Sequence, residues 1–432
     1  MTWQAIASVV IFAAAFVLIA TEKVHRTAVA LAGAGLMVVL GFAPGNEIFY
    51  SHHVGIDWNV IFLLLGMMII VGVIKRTGVF EFLGIWAAQR SRGRPYRLLV
   101  LLMVITAAAS PVLDNVTTIM LVAPVTIAVC RRLEISPAPY LIAEVLASNI
   151  GGAATLIGDP PNMIIASRAG LNFNDFLIHM APIVVVMFAL FVVLARFLFR
   201  RSFVHHPERF GEIMAMDARA SITDPRRLAR SLVVLGLVIV AFCLHTVLHL
   251  EPAIVALLGA GAIVLVAGDR DNGYLKEVEW STLVFFMGLF VMVGALVQTG
   301  VIHTVGNWAL HAVGDNYFVA ATGLLFGSAV IGAFVDNIPY AASMAPIVED
   351  LVATTPDATI GQALWWSFAL GADLSGNGTA VAASANVVVL GIASRAGEPI
   401  TFGQFTRYGV ITTALTTLVA WGYVWLRYFV LG

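Results

Sequence analysis

Residues 57–86 read DWNVIFLLLGMMIIVGVIKRTGVFEFLGIW, and residues 279–308 read EWSTLVFFMGLFVMVGALVQTGVIHTVGNW. In one register, 57 against 279, Trp58 meets Trp280, Gly66 meets Gly288, Gly72 meets Gly294 and Thr77-Gly78 meets Thr299-Gly300. The same register aligns Asp114-Asn115 with Asp336-Asn337 and Pro124 with Pro346. After small gaps, VALAGAG (29–35) meets VALLGAG (255–261), and IASRAG recurs at 165–170 and 392–397. Leu, Val and Ala coincide by chance in any two apolar helices; matched Trp, Asp-Asn and Arg do not. The chain is therefore built on an internal duplication.

Both copies belong in a bilayer. Of the 432 residues, 60% are hydrophobic and 11% charged, against about 25% charged in soluble domains. A spanning helix needs about 20 mostly apolar residues. Such stretches lie near 4–20, 26–43, 58–74, 138–167, 176–199, 231–249, 252–268, 281–298, 362–394 and 406–430. Two more, 97–132 and 317–353, are interrupted at Asp114-Asn115 and Asp336-Asn337. We expect these to be re-entrant hairpins entering from opposite sides. The run at 4–20 lacks a basic leader and a cleavage site, and is read as a retained helix rather than a signal peptide.

Charge sets the orientation, because Lys and Arg favour cytoplasmic loops. The first copy carries Lys75, Arg76, Arg90, Arg92, Arg94, Arg97, Arg131 and Arg132; the matching stretch of the second carries none. One copy thus faces the cytoplasm where the other faces outside. Five spans and a hairpin per copy give an odd number of crossings, so the second copy is inverted, an arrangement typical of secondary transporters. The expected fold class is an all-α polytopic membrane protein of two inverted-topology repeats. The expected division is a first repeat at 1–199, a cytoplasmic linker at 200–230 rich in Arg, and a second repeat at 231–432. Both termini fall outside the plasma (inner) membrane. Phe80–Gln89 and its counterpart at 302–311 read as interfacial helices, and Met67, Met68 and the tryptophans as lipid contacts or anchors.

Four polar clusters interrupt the apolar spans: DNVTT (114–118), SNIGGAATLIGDPPN (148–162), DNIP (336–339) and DLSGNGTAVAASAN (373–386). Polar groups inside a membrane face a cavity or a transport path. Glycines and Pro160-Pro161 cannot sustain a helix, so the spans 138–167 and 362–394 should be broken, unwinding around Gly151-Gly152 and Gly376-Asn377-Gly378. Unwound carbonyls suit a cation, and helix N-termini suit an anion or polar solute. Small residues also serve helix packing, which is the competing reading of the glycines. The candidate substrate or ion ligands are Asp114, Asn115, Thr117, Thr118, Asn149, Gly151, Gly152, Thr155, Asp159, Asn162, Asp336, Asn337, Asp373, Ser375, Gly376, Asn377, Thr379 and Asn386. Na⁺ would be held through Asn115, Asn149, Asn337 and Asn377. Asp114, Asp336 and Asp373, with Asp159, are the expected coupling carboxylates, able to take Na⁺ or H⁺. Glu144, His179, His245 and His249 read as packing or span-end residues.

The sequence has no phosphate-binding loop, nucleophile motif or clustered Cys/His ligands, and its two cysteines, Cys130 and Cys243, lie in apolar runs. An enzyme is not expected, nor any cofactor beyond a coupling ion. Partners expected are membrane lipid and a small inorganic ion or oxyanion, with room for a second copy of the chain or a separate ATPase subunit, and no nucleic acid.

The motifs DNVTTIMLVAPVTI (114–127), NIGGAATLIGDPPNMII (149–165), DNIPYAASMAPIV (336–348) and GADLSGNGTAVAASANVV (371–388) resemble the ArsB/NhaD permease family of the ion transporter superfamily. Within it they resemble the bacterial relatives of the melanosomal P protein. The likeness covers essentially the whole chain. More distantly it is similar to divalent-anion/sodium symporters, which implies a substrate site between hairpin tips and elevator movement of 97–170 and 317–397 against a scaffold. Those symporters carry Ser-Asn-Thr at the tips; Asp-Asn-Val-Thr and Asp-Asn-Ile-Pro here disfavour di- and tricarboxylate substrates, because extra carboxylates repel anions. The resemblance implies proton-coupled arsenite or antimonite efflux as the leading expectation, with Na⁺/H⁺ antiport or sodium-coupled organic-anion transport as alternatives. A non-transporting receptor or structural subunit is the reading from another class.

Overall fold

The structure is a computed structural model that describes residues 2–21, 24–51, 54–203, 210–268, 273–313, 316–355 and 357–431. Every regular element among them is helical. The first half runs α1 (Trp3–Ala20), α2 (Arg26–Val39), α3 (Gly45–Tyr50), α4 (Trp58–Lys75), α5 (Val79–Ser91), α6 (Pro95–Leu113), α7 (Asn115–Arg132), α8 (Ala138–Gly152), α9 (Pro160–Ala169), α10 (Phe173–His179) and α11 (Ala181–Leu198). The short α12 (Phe210–Met214) lies in the linker. The second half runs α13 (Pro225–Leu248), α14 (Pro252–Ala267), α15 (Trp280–Gln298), α16 (Val301–Val313), α17 (Tyr317–Gly332), α18 (Asn337–Val352), α19 (Ala358–Ser375), α20 (Ser384–Arg395) and α21 (Phe402–Val424).

Six of the described helices, α4, α6, α11, α13, α15 and α21 with its continuation to Val430, are long and apolar enough to cross a bilayer. Local chemistry explains several departures from the expected spans. The run 26–43 stops as a helix at Val39, where the chain turns through Gly41 at φ +73°. The run 176–199 is two helices, because Pro182 starts α11 afresh after Met180. Conversely α13 begins at Pro225, inside the expected linker, where the Asp224 carboxylate accepts the N–H groups of Arg226 and Arg227. The rest of the described linker is fastened to α5. The Gln89 amide donates to the carbonyls of Ile213 (3.1 Å) and Met216 (2.8 Å), and the Ser221 carbonyl fills the space where a side chain at Gly78 would stand. α5 and α16 are helices over the stretches expected at 80–89 and 302–311.

The duplication is visible in packing. α4 lies on α14 and α2 on α15. A Cβ on Gly66 would stand 2.7 Å from the Ala256 backbone, and one on Gly288 2.9 Å from that of Ala30. These are the same two close crossings made once in each repeat, through small residues. Around them stands a second body in which α6 packs on α8 and α17 on α19, while α7 crosses to α20 and α18 to α9. Met67 and Met68 are buried rather than facing lipid, as are Trp365 and Trp366. Trp3, Trp280 and Trp308 are exposed, as anchors should be.

Candidate functional site

Each hairpin turns at its Asp. Asp114 caps α7, its carboxylate accepting the Thr117 N–H and the Thr117 hydroxyl, both at 2.8 Å. Its backbone sits at φ +64°, a conformation that L residues adopt only under constraint. Thr117 therefore holds Asp114 in place. Asp336 caps α18 by accepting the Ile338 N–H at 3.0 Å, and its other oxygen accepts the Ser384 hydroxyl at 2.9 Å.

Against the tips lie the two breaks, 153–159 between α8 and α9 and 376–383 between α19 and α20. One constant offset relates them: Asn149 meets Asp373, Gly152 meets Gly376, Thr155 meets Thr379, Asp159 meets Ala383 and Asn162 meets Asn386. The first break starts later than its glycines suggested. Gly151 and Gly152 remain helical at the end of α8. Gly151 is there because a Cβ would stand 2.4 Å from the Ala107 carbonyl of α6, and Gly152 because one would stand 2.5 Å from the Gly158 carbonyl. Gly376, Asn377 and Gly378 do lie in the second break.

Matching bonds brace both breaks. The Thr155 hydroxyl donates to the Pro111 carbonyl and the Thr379 hydroxyl to the Ala333 carbonyl, each just before a hairpin tip. The Asn162 amide donates to the Thr155 carbonyl at 3.0 Å and the Asn386 amide to the Thr379 carbonyl at 2.8 Å.

Asparagines then join the halves. The Asn115 amide donates to Asn149 Oδ1 (3.2 Å) and Asp159 Oδ2 (2.9 Å). The Asn149 amide donates across the repeat boundary to the Gly376 carbonyl (3.2 Å), Asn377 Oδ1 (3.1 Å) and Asn386 Oδ1 (3.1 Å). Asp159, bonded into this network through Asn115, lies within electrostatic reach of Asp373, Asp114 and Asp336.

That network is incomplete within the protein. Asn115 Oδ1, the Thr118 hydroxyl, Asp159 Oδ1, Asn162 Oδ1, Asn337 Nδ2, Asn377 Nδ2 and both carboxylate oxygens of Asp373 make no protein hydrogen bond of good geometry, although Asn162 stands beside the Asp373 carboxylate and Asn337 beside that of Asp159. All seven residues are buried. Buried polar atoms are normally paired, and an unpaired one costs about 1–3 kcal/mol. Oxygens predominate, which suits a cation, a proton or a hydrogen-bonding solute. The anion-binding N-terminus expected in each repeat is weakened in the first, because Pro160 and Pro161 remove two N–H groups at the start of α9. Ser375 donates to the Ala372 carbonyl of its own helix at 2.6 Å and packs under Gly332.

Several groups stay outside the site. Glu144 is buried between α7 and α8 and accepts the Thr126 hydroxyl at 2.6 Å. His179 stacks on Trp366 at 4.8 Å, His245 bonds the Leu250 carbonyl at 3.1 Å, and His249 caps α13.

Arg26, Glu279, Thr282 and Ser384 were not singled out in the sequence, yet they reach the tips. With Asp114 and Ile338 they line a narrow gap of about 10 Å³ between scaffold and hairpins. Arg26 heads α2; its signal was a basic residue at the first position of an apolar run whose repeat counterpart is Pro252. A far larger cavity, about 620 Å³, lies on the α4–α14 side, with Asp57, Val60, Leu156, Met163, Ser167 and Pro252 in its walls.

Comparison with known proteins fits this arrangement. The family model described as "CitMHS: Citrate transporter" matches residues 16–371. The chain belongs to the CitMHS citrate-transporter family. The motifs had resembled ArsB/NhaD permeases; the family match is to citrate transporters, while the likeness to P protein is present. Within this family the chain is 53% identical to an uncharacterised transporter of Mycobacterium tuberculosis, over 99% of this chain and 100% of that one. It is 50% identical to a 46 kDa membrane protein of Mycobacterium leprae, with the same coverage. P protein of Sus scrofa is 33% identical over 99% of this chain, which spans 60% of that longer protein. Among solved structures, MtrF of Neisseria gonorrhoeae superposes with a TM-score of 0.61 at 13% identity, covering 100% of this chain and 96% of MtrF. The YdaH transporter of Alcanivorax borkumensis gives 0.60 at 15%, covering 99% and 98%. At such identities the likeness is one of fold: this CitMHS member is a polytopic membrane transporter.

Proposed function

We propose that this transporter couples H⁺ or Na⁺ to movement of a small polar solute, and that its hairpins and broken helices carry the site past the scaffold as an elevator. The observation that carries the reading is Asp159, bonded into a buried amide network with unpaired oxygens and within electrostatic reach of Asp114, Asp336 and Asp373. A charge inside a membrane protein is costly unless a partner neutralises it. Occupancy by a cation or proton would thus set whether the body can cross. The solute we favour is an uncharged trihydroxide, arsenite or antimonite, extruded against protons. The amides of Asn337 and Asn377 can donate to it, and the oxygens of Asn115, Asn162 and Asp373 can accept from it. A thiol trio is not part of the proposal, since Cys130 and Cys243 lie away from the network.

The family match supports a second reading, citrate. A tricarboxylate entering among four carboxylates requires accompanying cations, so citrate transport here would depend on them. Na⁺/H⁺ exchange by the same carboxylates is the third outcome. Reconstituted protein in sealed vesicles, offered arsenite, antimonite, Na⁺ and citrate under an imposed pH gradient, separates all three. Arsenite or antimonite flux that follows the gradient supports the favoured reading; citrate flux requiring a cation transfers it to the second. No flux of any of the four would remove the proposal.

A further inference from the structure

The two scaffold-facing sides of the mobile body are related by the repeat but are not in the same condition. On one side α2 and α15 meet the body at Arg26, Glu279 and Thr282, facing Asp114, Ser384 and Ile338 across about 10 Å³. On the other, α4 and α14 present the counterparts Asp57, Val60 and Pro252 to a cavity of about 620 Å³. One side is shut and the other open, and the residue that distinguishes them is Arg26, which stands where the open side has Pro252.

Arg26 is what bridges the shut side. Its guanidinium stands 3.8 Å from Asp336 Oδ2 and donates to the Ser384 hydroxyl, the group that itself donates to Asp336. Its other terminal nitrogen donates to Thr282 Oγ1 of the scaffold at 3.2 Å, and its plane lies over the Phe285 ring at 5.3 Å. One end is thus anchored in the scaffold by Thr282 and Phe285, and the other holds a hairpin tip and the first turn of α20. The gap is lined by the carboxylates of Asp114 and Glu279, with Asp336 reached through Arg26 and Ser384, and among the described residues Arg26 is the one basic residue in its lining.

We propose that Arg26 is a built-in competitor for the coupling cation at Asp336. Docked, it neutralises the tip and keeps the body against α2 and α15, holding the opposite cavity open. A cation or proton that takes over Asp336 releases the guanidinium and frees the body to move. This rests on the reading of Asp336 as a coupling group, but it can fail independently of it.

The test reads conformation rather than transport. Ser167, exposed in the wall of the large cavity, is changed to Cys in a background with Cys130→Ala and Cys243→Ala, and its labelling rate by a membrane-impermeant thiol reagent is measured in vesicles. Arg26→Gln should slow labelling about fivefold or more, the scale of ordinary coupling between two states. Arg26→Lys should fall between, since an ammonium lacks the planar fork. Asp336→Asn should match Arg26→Gln, and the double variant should be no slower than either single one, because both remove the same pair. In the parent, labelling expressed relative to an exposed reference cysteine at the same pH, which removes the change in thiolate fraction, should slow as Na⁺ rises or pH falls, and Arg26→Gln should abolish that response. Labelling within twofold of the parent in both single variants overturns the latch, and a parent indifferent to both ions overturns the competition. If Arg26→Gln aggregates on size exclusion, Asp336→Asn carries the same comparison. Labelling that behaves as expected while no solute flux is found would leave the latch standing and remove the coupling role.

Discussion

The two broken-helix segments share a skeleton and differ in charge. In both, a threonine hydroxyl ties the break to the carbonyl chain of a hairpin, and an asparagine closes a seven-residue loop back onto that threonine's carbonyl. Yet the first break has Asn149 and Asp159 where the second has Asp373 and Ala383. The duplicated part is the part that satisfies the backbone, which every unwound membrane segment must do. The carboxylates have no such duty and are placed independently: Asp159 receives the Asn115 amide, while neither oxygen of Asp373 makes a protein hydrogen bond of good geometry. A symmetric frame thus carries an asymmetric charge, which is what a carrier needs if its cation site is single and its two access routes are paired.

Exchanging the charge tests that comparison most severely. The double variant Asn149→Asp with Asp373→Asn keeps composition and net charge while moving the carboxylate to the opposite break. Solute uptake in vesicles should fall by about tenfold or more, the cost of one pair displaced by roughly 1.4 kcal/mol in the limiting step. Uptake equal to wild type would mean that only the number of carboxylates matters.

Smaller effects should follow from the brace asparagines. Asn386 donates to two carbonyls, Gly376 (2.7 Å) and Thr379 (2.8 Å), and accepts from Asn149. Asn162 donates to one. At about 1–3 kcal/mol for each buried group left unpaired, Asn386→Ala should lower the melting temperature in detergent clearly more than Asn162→Ala. The reverse order would show that the halves do not share their bracing as drawn. The least effect belongs to Thr155→Val and Thr379→Val, each losing one hydrogen bond worth about 1 kcal/mol. Their melting temperatures should shift by similar amounts; a large inequality would break the symmetry of the frame.

Much of this was legible in the sequence. The matched Trp, Asp-Asn and IASRAG positions gave the duplication, and the four polar clusters gave the hairpin tips and breaks. What escaped depended on neighbours distant in the chain. Gly151 and Gly152 looked like unwinding points, but a glycine costs only about 1 kcal/mol in a helix. The break runs over 153–159 and ends where Pro160-Pro161 start α9, while Gly151 answers to the Ala107 carbonyl. Ser375 and Thr117 give their hydroxyl protons to the Ala372 carbonyl and to Asp114, bonds that the motifs alone did not reveal. Arg26 was one basic residue among 24 Lys and Arg, and only the fold brings it to Asp336. The cavity on the α4–α14 side is lined by residues far apart in the chain, from Asp57 to Pro252, which no local pattern brings together.

The central claim is that Asp336 and Asp373 bind the coupling ion, and pH dependence of transport tests it most directly. Uptake rate is measured against pH in the same vesicle preparation for wild type, Asp114→Asn, Asp336→Asn and Asp373→Asn. Asparagine keeps each shape and removes the titratable oxygen pair. The account predicts folded variants whose rate depends less on pH, with Asp373→Asn the flattest because neither of its oxygens accepts a protein hydrogen bond of good geometry. Three variants with the wild-type pH profile would contradict the account and leave these carboxylates a packing role.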